Sequence, residues 1–242
     1  MNLDETTILE NWNKLLKIID DNFEKERKLN LLKMYNKLAE RMMLAPASGI
    51  VHYHNCFAGG YVDHVLRVIK CAKQLHLVWK EMGAVQNYTE EELVFAALNH
   101  DLGKVGDMEH DYYIPNPSEW HRKNLGKLYK FNPELDYMSV PERSLFLLSQ
   151  NDIKYSYNEA MAIRLHDGLY DDANVQYLKT FNTDKEIKSN LPTILHHADH
   201  MASRIEHDSV EKPIVKPNKR AKKVVSTAGT SAQNLFNDFF KE

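Results

Sequence analysis

Three stretches of this sequence set ionisable residues among apolar neighbours. His64 lies between Tyr61 and the run Val65, Val68, Ile69; His100 and Asp101 follow Leu93, Ala96 and Ala97; Asp199 sits beside Leu195, Ala198 and Ala202. At helical spacing each falls on or next to the buried side of its own helix. Burying such groups is costly unless something compensates them. A divalent metal does so, because it accepts imidazole nitrogen and carboxylate oxygen together. His100 and Asp101 can reach one ion, since adjacent residues leave a helix about 100° apart. The plainer alternative is that each is a satisfied core or surface residue. For a lone histidine that is the commoner outcome; for an ordered set on three helices the metal reading is stronger. A metal so held acidifies a bound water and polarises a phosphoryl oxygen.

The elements that must position these residues are helices. Residues 6–44 read as two helices, the second carrying Leu31, Tyr35, Leu38 and Met42 at helical spacing and ending at Pro46. The stretch 46–60 has no period and reads as a loop. A helix follows from about Tyr61 to Met82, with Asp63, Arg67, Lys70 and Gln74 as its polar stripe. Thr89 with Glu92 is a capping-box pair opening a helix that ends near Leu102 and Gly103. Residues 105–140, with Pro115, Pro117, Pro133 and many tyrosines, read as a loop or flap with short elements. Further helices are expected near 141–150, with Pro141 in its first turn, and 158–167. The last is 190–206, with Asn190 as cap and Leu191, Ile194, Leu195, Ala198, Ala202 and Ile205 as its buried stripe. No strand alternation and no internal repeat stand out.

The fold class read from this pattern is all-α, and composition agrees. Nine glycines and eight prolines in 242 residues are sparse punctuation, which favours long helices over many short strands. Apolar residues at 43% and charged residues at 27% fit an ordinary soluble protein, and no long uncharged apolar run argues for a membrane span. Two cysteines, Cys56 and Cys71, exclude a disulfide framework and a multi-cysteine zinc fold. The expected location is cytoplasmic. A net charge of −3 does not by itself advertise nucleic-acid binding.

The run His100-Asp101-Leu102-Gly103-Lys104, followed by Val105-Gly106-Asp107, resembles the signature of the HD-domain metal-dependent phosphohydrolases. Upstream, Pro46-Ala47-Ser48, then His52, His54, Gly59-Gly60 and His64, is similar to the segment before the first metal histidine in two HD branches, the 3′–5′ exoribonucleases and the relaxase-associated HD domains. Leu195-His196-His197-Ala198-Asp199 resembles the helix that supplies the last aspartate. The resemblance covers roughly residues 45–206. It implies a helical bundle around a metal held by His64, His100, Asp101 and Asp199, with Mn, Fe, Co, Ni or Zn compatible. Some relatives hold a second metal with two further histidines. Here Gly126-Lys127 stands where they show Gly-His, His166-Asp167-Gly168 stands for His-His-Gly, and His121 is out of register. One tightly bound ion is therefore favoured, with His166 the candidate second-site ligand or substrate contact.

The resemblance implies hydrolysis of a phosphoester in a nucleotide or at a nucleic-acid end. Asp101 or Asp199 would orient the attacking water. Lys104 would sit near the rim and meet a phosphate oxygen; its plainer role is a cation at a helix C-terminus. Tyr112, Tyr113, Tyr137 and Trp120 could stack on a base or simply seal the core. Catalytic roles thus fall on Asp101, Lys104 and His166. Some relatives are di-iron oxygenases, a reading that the missing second-site histidine disfavours.

The chain divides into an N-terminal helical extension (1–44), the HD domain (45–207), a basic flexible linker (208–231) and an apolar C-terminal peptide (232–242). The linker's Lys219, Arg220, Lys222 and Lys223 could add weak contact with DNA. In the peptide, Gln233, Phe236, Phe239 and Phe240 resemble a sliding-clamp-binding motif of the kind found on bacteriophage replication proteins. One helical turn would present its apolar plugs to a pocket, although Phe236 replaces the usual aliphatic residue. A fold-back onto its own domain is the plainer reading. If the tail binds a clamp, the setting is replication in a bacterium or a phage-infected cell. The competing function is then an accessory protein of the replication machinery, recruited by that tail.

Overall fold

Helices begin in this chain where side chains cap them. In the computed structural model, which describes residues 3–180 and 182–209, Asp4 accepts from the Thr7 amide at the start of α1 (Glu5–Asn22). Next come α2 (Lys25–Lys37), α3 (Ala39–Leu44) and α4 (Gly60–Glu81). The Thr89–Glu92 capping box opens α5 (Glu90–Asn99) as expected. After the short strand β1 (Tyr113–Pro115), α6 (Glu119–Leu125) and β2 (Tyr129–Phe131), Ser139 caps α7 (Val140–Gln150), which carries Pro141 in its first turn. A second capping box, Ser156 with Glu159, opens α8 (Tyr157–Leu165). The short α9 (Val175–Leu178) and the long α10 (Leu191–Ser209) complete the described helices. The Asn190 carbonyl accepts from the Ile194 amide, but its side-chain amide is turned to the Val85 carbonyl. The described residues are predominantly helical, as the sequence pattern requires.

Four of these helices form a closed ring: α4 packs on α5, α5 on α8, α8 on α10, and α10 on α4. The core filling and surrounding this ring includes Val65, Phe95, Ile163 and Leu195, but also Trp12, Ile19 and Tyr35. The N-terminal helices therefore share the core of the bundle rather than standing beside it. Tyr35 also donates its hydroxyl to the Leu98 carbonyl and to Asn99 Oδ1, bracing the end of α5.

Four local expectations change. The single helix expected across 31–44 is two, because Leu38 takes ψ near 9° while staying buried. The apolar period runs straight through that break. The helix expected to reach Gly103 ends at Asn99, and Leu102–Val105 is a 3₁₀ turn. The flap contains an antiparallel pair, Tyr113↔Phe131, Ile114↔Lys130 and Pro115↔Tyr129; three-residue strands are too short for alternation to register. Asp208 and Ser209, placed in the linker by sequence, are helical in α10. The remaining linker and the C-terminal peptide lie outside the described residues, including Gln233, Phe236, Phe239 and Phe240. Among the described residues no helix is long and apolar enough to cross a membrane.

Candidate metal centre

Each helix of the ring delivers a side chain to its middle. His64 projects from the first turns of α4. His100 ends α5 in helical geometry, and Asp101 follows it at the head of the 3₁₀ turn. His166 ends α8 in the same manner as His100 ends α5. Asp199 comes from the middle of α10. The six residues singled out by sequence, His64, His100, Asp101, Lys104, His166 and Asp199, are all brought together.

The ring nitrogens face inward for a local reason. His100 Nδ1 lies 2.8 Å from the Ala97 carbonyl, and His166 Nδ1 lies 2.8 Å from the Ile163 carbonyl. His64 Nδ1 lies 3.0 Å from Glu206 Oε2. With each Nδ1 engaged outward, Nε2 is the ring nitrogen left to face the centre.

At the centre, His64 Nε2 is 3.0 Å from Asp199 Oδ1 and 3.6 Å from Asp101 Oδ2. His100 Nε2 is 3.5 Å from Asp101 Oδ2 and 3.9 Å from Asp199 Oδ1. Yet neither buried Nε2 makes a well-aligned hydrogen bond, close as the carboxylates are. Buried polar atoms are normally satisfied, so two orphans aimed at two carboxylate oxygens call for a shared occupant. Donor atoms about 2.1 Å from one ion, at tetrahedral or octahedral angles, lie roughly 3.0–3.5 Å apart. Of the four separations, 3.0 and 3.5 Å match those polyhedron edges and 3.6 and 3.9 Å run longer, while the donor set fits a divalent transition metal. His100, His166 and Asp199 also converge closely enough to form a group, and His166 Nε2 is 3.5 Å from Asp101 Oδ1. His166 thus addresses the carboxylate oxygen that His64 and His100 leave free.

The electrostatics are those of a closely packed ionic cluster. Burial pulls His64 down, but the Asp199 and Glu206 carboxylates outweigh it and lift it to about 10. Burial likewise opposes protonation of His166, while Asp167, Asp101 and Asp199 lift it to about 9. Burial would raise Asp101, but Lys104 and His100 hold its carboxyl well below the usual range. Asp199 is held low against burial, chiefly by His64.

Lys104 differs from its expected place. It is not at the rim: its side chain is only 17% exposed, and Nζ is 2.7 Å from Asp101 Oδ2. The tight 3₁₀ turn brings residue 104 back over residue 101. Lys104 therefore forms part of the floor of a cleft of about 770 Å³ that opens above Asp199 and His166 and whose walls include Tyr53, Tyr113 and Tyr170. Of the other flap aromatics, Tyr137 and Trp120 stand exposed outside that lining, and Tyr112 packs on Tyr113 and Phe131. His121 is exposed against Trp120 and does not join the cluster.

Two residues at the centre escaped the sequence reading. Glu206 is buried, accepts from Arg67 Nε at 3.0 Å and anchors His64. Ile205, taken for the end of the buried stripe, is exposed instead. The available clue was spacing, since Ala198, Ala202 and Glu206 recur every four residues. His54, quoted only as part of a motif, has its ring 4.6 Å from that of His64, with Nε2 buried and unpartnered. Burial and the neighbouring charges of His64 and Lys104 push it down to about 3, which keeps it neutral. The loop that presents it is tightly specified. Asn55 adopts a positive φ, and a Cβ on Gly60 would lie 2.1 Å from the Asn55 carbonyl oxygen.

The fold and site together define an all-α protein with a buried His/Asp centre suited to a metal ion. No family model matches the sequence, and no match to it was found among curated proteins or solved structures.

Proposed function

We propose that this protein is a metal-dependent phosphohydrolase of the HD-domain type, cleaving a phosphoester of a nucleotide or a nucleic-acid end. One observation carries the reading: the buried Nε2 atoms of His64 and His100, from separate helices and without a well-aligned hydrogen bond, converge on Asp101 and Asp199. The resemblance of His100–Lys104 and its flanking motifs to HD phosphohydrolases supplies the reaction class.

His64, His100, Asp101 and Asp199 would hold the ion. When bound, a divalent ion supplies a Lewis acid for a phosphoryl oxygen and an acidified water. The chain's own groups do the rest. Lys104 sets a fixed positive charge on the cleft floor, placed to stabilise charge that grows on phosphoryl oxygens. Its contact with Asp101 also keeps that carboxylate ionised and oriented. His166, with Nδ1 tied to the Ile163 carbonyl, points Nε2 into the same space to meet substrate or support a second ion. Glu206 fixes the ring of His64, and Arg67 fixes Glu206.

Elemental analysis of the purified protein, paired with a Mn²⁺-supplemented screen of nucleotides and short oligonucleotides, tests the proposal. About one transition metal per chain and hydrolysis abolished by chelation are expected. A protein that takes up no divalent metal and hydrolyses no phosphoester would overturn it.

A further inference from the structure

The cleft above the centre has features that the centre itself does not need. At about 770 Å³ it lies toward the upper end of the roughly 300–1,000 Å³ typical of small-molecule sites. Beyond Lys104 and Asp199 on its floor, its charged lining is Lys127, Lys130 and Arg204 against a single carboxylate, Asp167. Lys127 and Lys130 have no carboxylate partner among the described residues, and all three cations are exposed. Lys127 and Lys130 stand on the flap, while Arg204 stands on α10, one turn beyond His200. The cations therefore occupy two elements rather than one spot.

Large aromatic side chains are exposed along the same lining. Tyr170 is 78% exposed and stacks on the His200 ring, with centroids 6.0 Å apart and planes 19° off parallel. Tyr53 is 59% exposed, on the loop that presents His54. Both rings therefore leave most of their surface open to the cleft's solvent. Cations tracking a backbone, interleaved with free aromatic faces, form the usual platform for unpaired bases.

From this arrangement we infer that the cleft receives a single-stranded oligonucleotide several residues long, rather than a mononucleotide. One base stacks on Tyr170 and another on Tyr53, while Lys127, Lys130 and Arg204 meet the intervening phosphates. A duplex would hide the faces that these rings engage. The inference deepens the phosphohydrolase reading by naming its substrate class, and it rests on the cleft serving the centre below it.

The test is fluorescence anisotropy on the full chain in excess chelator, so that binding is read apart from hydrolysis. Labelled oligothymidylates of one, two, four and eight residues serve as probes, with a blunt hairpin duplex and a polyglutamate peptide as competitors. Affinity should climb with length up to about four residues, and both competitors should be weaker. Y170A should weaken the tetramer about tenfold, and Y170W should restore it. K127A/K130A should reduce the slope of log affinity against log salt by about one to two. Equal binding of monomer and octamer overturns the inference, as does duplex or polyglutamate binding as tight as the single strand. Unchanged binding in both Y170A and K127A/K130A does so as well, and assigns the affinity to another surface. Binding without hydrolysis on adding Mn²⁺ would retain the oligonucleotide and reject the phosphohydrolase. Hydrolysis of bis(p-nitrophenyl) phosphate without oligonucleotide binding would do the reverse.

Discussion

Two ionic clusters sit at opposite ends of α5, and they are finished differently. At its N-terminal end, Arg27 donates through Nη1 to Glu91 at 2.8 Å and through Nη2 to both oxygens of Glu159 at 2.6 Å. Its guanidinium carbon lies 3.8 Å from the centroid of the Phe95 ring. The Glu159 carboxylate, whose side chain is 1% exposed, also accepts from the Ser156 amide. Only Arg27 Nε is left without a partner. At the other end of α5, His64 and His100 each keep a buried Nε2 open beside carboxylates. Both clusters bear the cost of burying charge. The first closes on itself and fastens α2, α5 and α8. The second stops short of closure, which a purely structural cluster has no reason to do. What separates the site from the brace is where the unfinished bonding falls: on ring nitrogens that can ligate a metal, whereas Arg27 Nε can only donate.

The largest effect expected is at the open cluster. H100A should abolish hydrolysis and reduce bound metal to background by elemental analysis, with helical circular dichroism near wild type. Full activity or full metal content in H100A would erase the distinction drawn here. Next is the closed cluster. R27M strands a buried carboxylate, and such breaks cost about 3 kcal/mol, read as a lower midpoint in urea at unchanged metal content. An unaffected midpoint would show the brace to be ornamental.

Acidification should separate the two clusters by sign. Burial raises the Glu159 carboxyl above its usual value, even though Arg27 pulls it down. Its ionised form is therefore the costly one in the fold, and the stability it contributes falls as pH rises through that raised value. Removing Arg27 enlarges this cost, so the deficit of R27M should shrink as pH falls and Glu159 takes up its proton. The open cluster should respond the other way, because its ligands must be deprotonated to hold a metal. Urea titrations of wild type and R27M, alongside metal retention across acidic pH, read both trends. A deficit in R27M that is constant with pH would mean that Glu159 is not its source.

How much of this was legible beforehand follows from the physics of each feature. The apolar stripes made His64, His100 and Asp199 conspicuous, because a polar residue on a buried face breaks a local pattern. Glu206 left no such mark. The apolar Ile205 one position earlier takes its place in the sequence pattern, and the partners that make its burial tolerable, His64 and Arg67, come from a distant helix. The placement of Lys104 depended on whether the chain after Asp101 was α-helical or 3₁₀, which hydrophobic spacing does not distinguish. The Leu38 break was hidden because the buried period continues across it. The capping box of α5 was readable because its whole mechanism lies within four residues.

The smallest effects test how tightly the closed cluster is tied together. Thr89 and Ser156 both cap helices through capping boxes, and a lost cap costs about 1 kcal/mol. They are not equivalent. The Thr89 hydroxyl serves α5, accepting from the Glu92 amide. The Ser156 hydroxyl accepts from the Glu159 amide at 3.2 Å and also donates to Glu92 Oε1 at 2.5 Å, joining the cap of α8 to that of α5. S156A should therefore destabilise the protein more than T89A, by about one further hydrogen bond's worth, ~1 kcal/mol. Both variants should retain metal at the wild-type level, since neither residue reaches the open end of α5. Pairing each with E92Q in a double-mutant cycle should show stronger coupling for S156A through the charge-assisted bond. Equal losses in T89A and S156A would mean that the two caps act separately, and that Arg27 alone holds the helices together at that end.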